Sequence, residues 1–193
     1  MKTGLFFGSF NPIHIGHLII ANFIVENSDL NKIWFVVTPQ NPFKSKTSLL
    51  ANHHRLEMVN LAIADYPKFQ ASNIEFSLPK PHYTIDTLVV LKEKYPQHEF
   101  VLLMGEDNLK SFHKWKNYEE ILKYHQILVY PRIEKTSQKE ETVVLYPNII
   151  KVEAPIVEIS ATTIRRMIKE NKNIRPMLPP EVFNYIDGSN LYK

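Results

Sequence analysis

Two histidines, His14 and His17, stand three residues apart in the segment GSFNPIHIGH, which covers residues 8–17. The segment overlaps the end of the apolar run GLFFG and carries two glycines, Gly8 and Gly16. Imidazole side chains bind metals, transfer protons and donate hydrogen bonds to phosphates. The pair therefore marks a candidate chemical site.

The spacing of the pair leaves three interpretations open. A phosphate site fits because backbone N–H groups at the start of a following helix favour anions. The two common phosphate-binding sequences, G-x-x-x-x-G-K-[ST] and G-x-G-x-x-G after a strand, are however absent from the sequence. A metal site needs three or four ligands, and only His53 and His54, distant in sequence, are obvious additions. Helix capping is the third interpretation.

Composition excludes several other classes of function. The 193-residue chain is 44% hydrophobic and 22% charged, which suits a single globular domain. It has no cysteine, which excludes disulfides, thiolate zinc sites and a cysteine nucleophile. No apolar run approaches the ~18 residues of a membrane span, and the net charge is only +3 without a dense basic block. We expect a cytoplasmic protein with no nucleic-acid or membrane partner.

Apolar runs and helix-like segments alternate along the chain. We predict strands at 3–9, 32–39, 69–77, 99–105, 126–132 and 148–154, and helices at 17–28, 53–66, 84–95, 160–171 and 179–188, with one bent or two short helices at 107–124. This alternation indicates an α/β fold with a mostly parallel sheet flanked by helices. Ligands of such sheets bind beyond the carboxyl ends of the strands, where the loops of Gly8 and Gly105 would lie.

Two motifs together identify a family. GSFNPIHIGH resembles the (G/S)-x-F-x-P-x-H-x-G-H signature of the nucleotidyltransferase superfamily, and ISATTIR at 159–165 resembles its second motif, I-S-x-T-x-x-R. These enzymes transfer AMP or CMP from a nucleoside triphosphate. The resemblance covers essentially the whole chain and implies a Rossmann-like doubly wound sheet in one domain, residues 1–193. It assigns the second-motif helix and a short C-terminal helical segment to about residues 159–193.

Three further segments resemble the bacterial nicotinate mononucleotide adenylyltransferases. They are WFVVTPQNPFK at 34–44, HYTIDTL at 82–88 and MGEDNLKSFHKWKNYEEIL at 104–122. This resemblance implies transfer of AMP from ATP to nicotinate mononucleotide, which gives deamido-NAD and pyrophosphate. Three positions depart from the family pattern: Asn11 replaces an aspartate, Phe43 a histidine and Ala161 a serine.

The resemblance also implies residue roles. His14, His17 and Arg165 would be catalytic. The expected ATP-binding residues are Gly8, Ser9, Phe10, His14, His17, Lys44, Gly105, Asp107, Ser160, Thr162 and Arg165. Tyr83, Thr84 and Trp115 would bind nicotinate mononucleotide, although a core position beside Phe112 and Tyr118 is an alternative for Trp115. Mg²⁺ would bind through the ATP phosphates without dedicated protein ligands, and the family often forms homodimers.

Other functions are compatible with the same residues. The acceptor of AMP could instead be nicotinamide mononucleotide or phosphopantetheine. A non-catalytic nucleotide sensor with this fold, or a metal-dependent hydrolase that uses the histidine pair, are alternatives from other classes. A panel of acceptors assayed with ATP separates the first group, and metal analysis tests the last.

Overall fold

The structure is a computed structural model that describes residues 1–39, 49–132 and 146–193. The strands in these residues are β1 (Lys2–Gly8), β2 (Lys32–Val37), β3 (Phe69–Ser72), β4 (Glu99–Gly105), β5 (Ile127–Tyr130) and β6 (Ile149–Lys151). The α-helices are α1 (Ile15–Glu26), α2 (Asn52–Ile63), α3 (Thr84–Lys94), α4 (Glu106–Leu109), α5 (Tyr118–Tyr124), α6 (Ala161–Lys169) and α7 (Pro180–Gly188).

The six strands form one parallel sheet in the order β3-β2-β1-β4-β5-β6. The chain runs outward from β1 to β3, returns to the centre and continues from β4 to β6, so the order reverses between β1 and β4. This is the order of a Rossmann-like sheet, and it confirms the predicted doubly wound fold. A crevice is expected at the carboxyl ends of the two central strands.

Side chains alternate between two cores, one on each face of the sheet. Phe6 and Phe35 point to the face covered by α1, α2, α6 and α7, whereas Leu5 and Trp34 point to the face covered by α3 and α5. Because both faces are covered, the strands are continuous apolar runs rather than alternating ones. The central strands are therefore anchored on both sides, which holds the loops at their carboxyl ends.

The third predicted strand was too long. Extended structure ends at Ser72, and Ile74–Ser77 form a 3₁₀ turn. Ile74 packs among the residues around Leu88, while the adjacent Glu75 accepts a hydrogen bond from Thr87. Both contacts are made with α3, and an extended chain would send these neighbouring side chains to opposite faces.

The segment predicted as one bent helix or two short ones is three short pieces. These are α4, a 3₁₀ turn at Phe112–Lys114, and α5. Trp115 has an extended backbone, and Asn117 has φ 49°, a left-handed conformation that asparagine tolerates better than most residues. These two positions prevent a continuous helix and leave Trp115 in a connection rather than on a helix face.

Candidate active site

A crevice of about 370 Å³ lies at the carboxyl ends of β1 and β4. Most of the residues predicted for the site line it: Gly8, Ser9, Phe10, His14, His17, Tyr83, Thr84, Gly105, Trp115, Ser160, Thr162 and Arg165. Asp107 lies behind Gly105 and contacts the crevice residue Arg132. Lys44, which is predicted to bind ATP, lies outside the described residues, as does Phe43, which departs from the family pattern. Segments far apart in the sequence thus meet at the expected edge of the sheet.

The two histidines open helix α1. His14 is the N-cap and His17 is the third helical residue, so the helix begins two residues earlier than predicted. The rings stack with their centroids 3.7 Å apart. The backbone N–H of His14 donates to Nδ1 of His17 over 3.2 Å. Because Nδ1 of His17 is the acceptor, a neutral ring carries its proton on Nε2, which is a donor.

Burial keeps both imidazoles neutral near pH 7. It lowers the pKa of His14 to about 4, and the positive charge of Arg132 acts in the same direction. The pKa of His17 is also well below 6.5, first because of burial and then because of His14 and Arg132. The pair therefore offers neutral N–H donors to a ligand rather than two fixed charges.

Gly16 separates the histidines because a larger residue would not fit. A Cβ at this position would lie 3.1 Å from Nδ1 of His14 and 3.1 Å from Cγ1 of Val157. Contacts this short would push the imidazole or the Val157 segment away. Glycine thus allows the His14 ring to lie against the start of α1.

The ring of Phe10 packs against His17 and so supports the histidine pair. Its side chain is only 2% exposed, and its ring packs edge-on against His17 with the centroids 5.2 Å apart. The same ring covers Gly8, where a Cβ would lie 2.8 Å from it. Phe10 adopts φ 44°, a conformation rare for a bulky residue, which the surrounding packing enforces. Its ring is therefore part of the core, and only its backbone is available for ligand contact.

A buried arginine that sequence reasoning missed holds this loop. Arg55 of α2 is fully buried and donates from Nη1 to the carbonyl oxygens of Ser9 and Thr38 over 2.6 and 2.7 Å, and from Nε to the carbonyl of Leu50 over 3.0 Å. These bonds join the ends of β1 and β2 to the start of α2. The only sequence signal is a cation at helical spacing from the apolar residues Met58, Val59 and Ala62, which form the buried face of α2.

The second motif reaches the first through Arg165. Ser160 caps α6, since its Oγ accepts from the N–H of Thr163 over 3.1 Å. Arg165 donates from Nη1 to the carbonyl oxygen of Asn11 over 2.7 Å and from Nη2 to Oγ1 of Thr162 over 3.3 Å. The guanidinium therefore lies against the histidine loop. Ala161 begins α6 at the crevice and offers no hydroxyl there.

A second cation, Arg132, lines the same crevice, and its charge acts on both histidines. It follows β5 and donates from Nη1 to Oδ2 of Asp107 over 3.1 Å. Asp107 leans over Gly105, where a Cβ would collide with the carboxylate. Sequence reasoning missed Arg132, although its place at the end of the strand predicted at 126–132 put it at the carboxyl edge of the sheet.

Aromatic and polar side chains line the other end of the crevice. Trp115 is half-buried and packs edge-on against Phe112 with the centroids 5.3 Å apart, so the indole borders both the core and the crevice. Tyr83 occupies the N-cap position of α3, and Thr84 is the first residue of that helix. Thr84 and its neighbours thus present the N-terminus of α3 to the crevice.

Two buried polar residues beside this end were also missed. Glu75 is 2% exposed, and among the described residues its Oε2 has no hydrogen-bond partner. Its Oε1 accepts from Thr87 over 2.8 Å, and burial raises its pKa. His82 is 6% exposed, its ring nitrogens are likewise unpartnered within the described part of the chain, and burial lowers its pKa. Both line the crevice.

Metal-ligating side chains do not cluster in the described ranges: 1–39, 49–132 and 146–193 contain no group of three or more histidines, cysteines and carboxylates that could hold a metal ion. His53 and His54, the additions considered for a metal site, have ring centroids 4.1 Å apart, and His54 is paired with Tyr185. None of the helices seen in those same ranges is long and apolar enough to cross a bilayer.

The low pKa of His14 predicts a specific loss of stability in acid. A histidine with a pKa of about 4 in the folded protein and 6.5 when unfolded favours unfolding as the pH falls below 6.5. Between pH 8 and pH 5 this group alone should remove about 2 kcal/mol from the free energy of unfolding. Urea unfolding of the wild type and His14→Asn at several pH values measures it. The variant should lose less stability over this range, and parallel curves would contradict the assignment.

Comparison with known proteins identifies the family. Residues 5–167 match the family described as cytidylyltransferase-like. The chain is 59% identical over 193 residues to a Flavobacterium psychrophilum protein named "Probable nicotinate-nucleotide adenylyltransferase", with both chains fully covered. A protein of the same name from Bacteroides thetaiotaomicron is 44% identical, with 96% of this chain and 91% of the relative covered.

Solved structures agree at the level of the fold. The Plasmodium falciparum nicotinic acid mononucleotide adenylyltransferase complexed with NaAD superposes with a TM-score of 0.81, 22% identity, and 99% and 97% coverage of the two chains. A Vibrio parahaemolyticus crystal structure titled as that of a "Putative Nicotinate-nucleotide Adenylyltransferase" gives a TM-score of 0.72 at 22% identity, covering 99% of this chain and 94% of that one. With the full-length relatives, these matches lead to one conclusion: the chain belongs to the nicotinate-nucleotide adenylyltransferase family of cytidylyltransferase-like proteins.

Proposed function

We propose that the crevice transfers AMP from ATP to nicotinate mononucleotide, forming deamido-NAD and pyrophosphate. The observation that carries the proposal is the meeting of His14, His17 and Arg165 at one crevice whose other end holds Trp115 and the start of α3. Groups able to bind phosphate and an indole able to stack on a pyridine ring thus line a single cavity. Family membership supports the same reaction.

The reaction needs no general base. Its nucleophile is the phosphate monoester of the mononucleotide, whose second pKa is ~6, so it is mostly a dianion at neutral pH. Catalysis is then a matter of alignment and of stabilising the charge that develops on the α-phosphoryl oxygens. This agrees with neutral histidines that donate hydrogen bonds and do not accept a proton.

Several groups at the ATP end of the crevice would bind different parts of the nucleotide. His17 would donate from Nε2 to the α-phosphoryl oxygens and His14 would contact the same phosphates. Arg165, with the hydroxyls of Ser160 and Thr162, would hold the two phosphates that leave as pyrophosphate. The backbone of Gly8, Ser9 and Phe10 would line the nucleotide, Asp107 would accept from ribose hydroxyls beside Gly105, and Lys44 stays a predicted phosphate contact.

The donor set of the crevice suits a cation bound through the phosphates. Imidazole, guanidinium and hydroxyl groups bind phosphate oxygens. Of the described carboxylates nearby, Asp107 is paired with Arg132, and Glu75 accepts from Thr87 through Oε1 only. When bound, Mg²⁺ neutralises charge on the triphosphate. These chain residues would hold the phosphates that carry it.

The acceptor end would bind the pyridine ring and its carboxylate. Trp115 would stack on the ring, and Thr84 with backbone groups at Tyr83 would donate to the carboxylate. His82 lies beside them and has a neutral N–H without a described partner. A set of donors favours the nicotinate carboxylate, because an amide presents both a donor and an acceptor.

Replacement of Trp115 by alanine tests the acceptor end. If the indole stacks on the pyridine ring, the KM for nicotinate mononucleotide should rise roughly five-fold or more, because such stacking is worth about 1 kcal/mol. The KM for ATP and the melting temperature should stay close to those of the wild type. Steady-state kinetics in both substrates and one thermal melt decide the matter. A large fall in melting temperature with equal losses for both substrates would assign Trp115 to the core.

Release of pyrophosphate with a panel of acceptors tests the proposed reaction. We expect turnover with nicotinate mononucleotide and much less with nicotinamide mononucleotide or phosphopantetheine. A preference for either of the other acceptors would overturn the substrate assignment. The composition favours a cytoplasmic location. A homodimer is proposed only because the family often forms one, and gel filtration with light scattering measures the assembly.

A further inference from the structure

The segment after helix α7 folds back onto the first motif. Asn190 and Tyr192 adopt φ 51° and 68°, and the intervening Leu191 is 9% exposed and packs into the core on that face of the sheet. The N–H of Leu191 donates to the carbonyl of Ile186 over 3.0 Å. This folded-back segment brings the Tyr192 hydroxyl within 2.7 Å of Oδ1 of Asn11, to which it donates.

Asn11 is the point at which four parts of the chain meet. It is 2% exposed. Its side-chain Oδ1 accepts from Tyr192 and from the backbone N–H of Leu50 over 3.3 Å, and its carbonyl oxygen accepts from Nη1 of Arg165 over 2.7 Å. Two donors on one amide oxygen restrict the rotation of the side chain. Its orientation in turn constrains the backbone of Asn11, which carries the carbonyl that Arg165 uses.

The Tyr192 hydroxyl is suited to act as a donor here. Burial raises its pKa, so it stays protonated at any physiological pH, although Arg165 and Arg55 oppose that effect. Arg55 holds the loop from the other side through the Ser9 carbonyl. Tyr192 and Arg55 thus support the same loop from two directions.

We propose that Tyr192 is a positioning residue for nucleotide binding: its hydroxyl fixes Asn11 and, through the Asn11 carbonyl, the guanidinium of Arg165. The inference rests on the proposed function and deepens it. It assigns the orientation of the triphosphate site to a residue that lies outside the two motifs in sequence. It predicts that the loss of one hydroxyl outside the crevice weakens ATP binding and leaves the acceptor end unchanged.

Tyr185→Phe provides a matched control for Tyr192→Phe. The Tyr185 hydroxyl also makes one side-chain hydrogen bond, 2.8 Å to Nδ1 of His54, and belongs to the same C-terminal region. Neither Tyr185 nor His54 lines the crevice. Both substitutions remove one hydroxyl and one hydrogen bond, so they should lower the melting temperature by similar amounts. Their effects on ATP binding should differ only if Tyr192 has a positioning role.

The experiment measures the dissociation constant of ATP by calorimetry and the KM values of both substrates. Tyr192→Phe should weaken ATP binding about five- to tenfold, the loss expected for one well-made hydrogen bond, while the KM for nicotinate mononucleotide changes less than twofold. Tyr185→Phe should change neither. Unchanged ATP affinity in Tyr192→Phe, or equal losses in the two variants, would overturn the proposal.

A double-variant cycle tests the route through Asn11. If Tyr192 acts by holding this side chain, Asn11→Ala should abolish the further effect of Tyr192→Phe on ATP affinity. Additive losses would show that the hydroxyl acts elsewhere and would overturn the proposal. Calorimetry needs no acceptor, so it stays readable if the wild type makes no deamido-NAD. That failure would contradict the proposed function and not the positioning of the nucleotide.

Discussion

Replacement of His17 by alanine should lower kcat by about 10² to 10³, because loss of one donor to a developing oxyanion costs this much in other enzymes. Nε2 of His17 is the directed donor, since its Nδ1 already accepts from the backbone of His14. The fold should survive, because the buried Leu18, Ile20, Ala21 and Ile24 anchor helix α1, although the variant also loses the hydrogen bond from the backbone N–H of His14. Steady-state kinetics and a circular dichroism spectrum provide the measurement.

His113→Ala is the matched control for this variant. His113 is exposed and does not line the crevice, so its removal should leave kcat within twofold of the wild type. A His17→Ala protein that is folded and has nearly normal kcat would rule out the phosphate-contact role. Equal losses in the two variants would indicate a general effect on the protein and not on the transition state.

Removal of the Arg165 guanidinium should act mainly on ATP. A charge-assisted hydrogen bond is worth about 1.5–3 kcal/mol, so Arg165→Ala should raise the KM for ATP roughly 10- to 100-fold, with little change for the acceptor. Arg166→Ala is the control, because Arg166 is next in sequence but its side chain is 69% exposed and faces Glu170. Kinetics with each substrate varied in turn measure both variants. Equal increases in the KM for ATP in the two variants would contradict the orientation of α6, in which Arg165 and not Arg166 faces the crevice.

The order of elements could be predicted from the sequence because each central strand is an apolar run and because turn-forming residues separate the helices from the strands. The predicted ends of the elements were wrong where tertiary contacts outweighed the local sequence pattern. The run at 69–77 has strand-like composition, yet the contacts of Ile74 and Glu75 with α3 end the strand at Ser72. The left-handed backbone of Asn117 likewise divides a segment whose composition suits a helix.

The motif residues of the site could be predicted because they are close together in sequence. The residues that support them could not, since their partners are distant: Arg55 bonds to Ser9 across 46 residues, and Tyr192 bonds to Asn11 across 181. Arg132 and Glu75 were missed for the same reason. Their function depends on which loops the sheet brings together, and that is known only after the strand order is known.

The fate of the α-phosphate of ATP tests the central claim most directly. Wild-type protein is incubated with ATP labelled at the α-phosphate, alone and with each acceptor, and the labelled products are separated. The proposed reaction predicts that the label enters deamido-NAD when nicotinate mononucleotide is present, that unlabelled pyrophosphate is released in equal amount, and that little label moves without an acceptor. Free labelled AMP formed without an acceptor would indicate a hydrolase. Label that stays in ATP with every acceptor would indicate a nucleotide sensor, and either result would contradict the account.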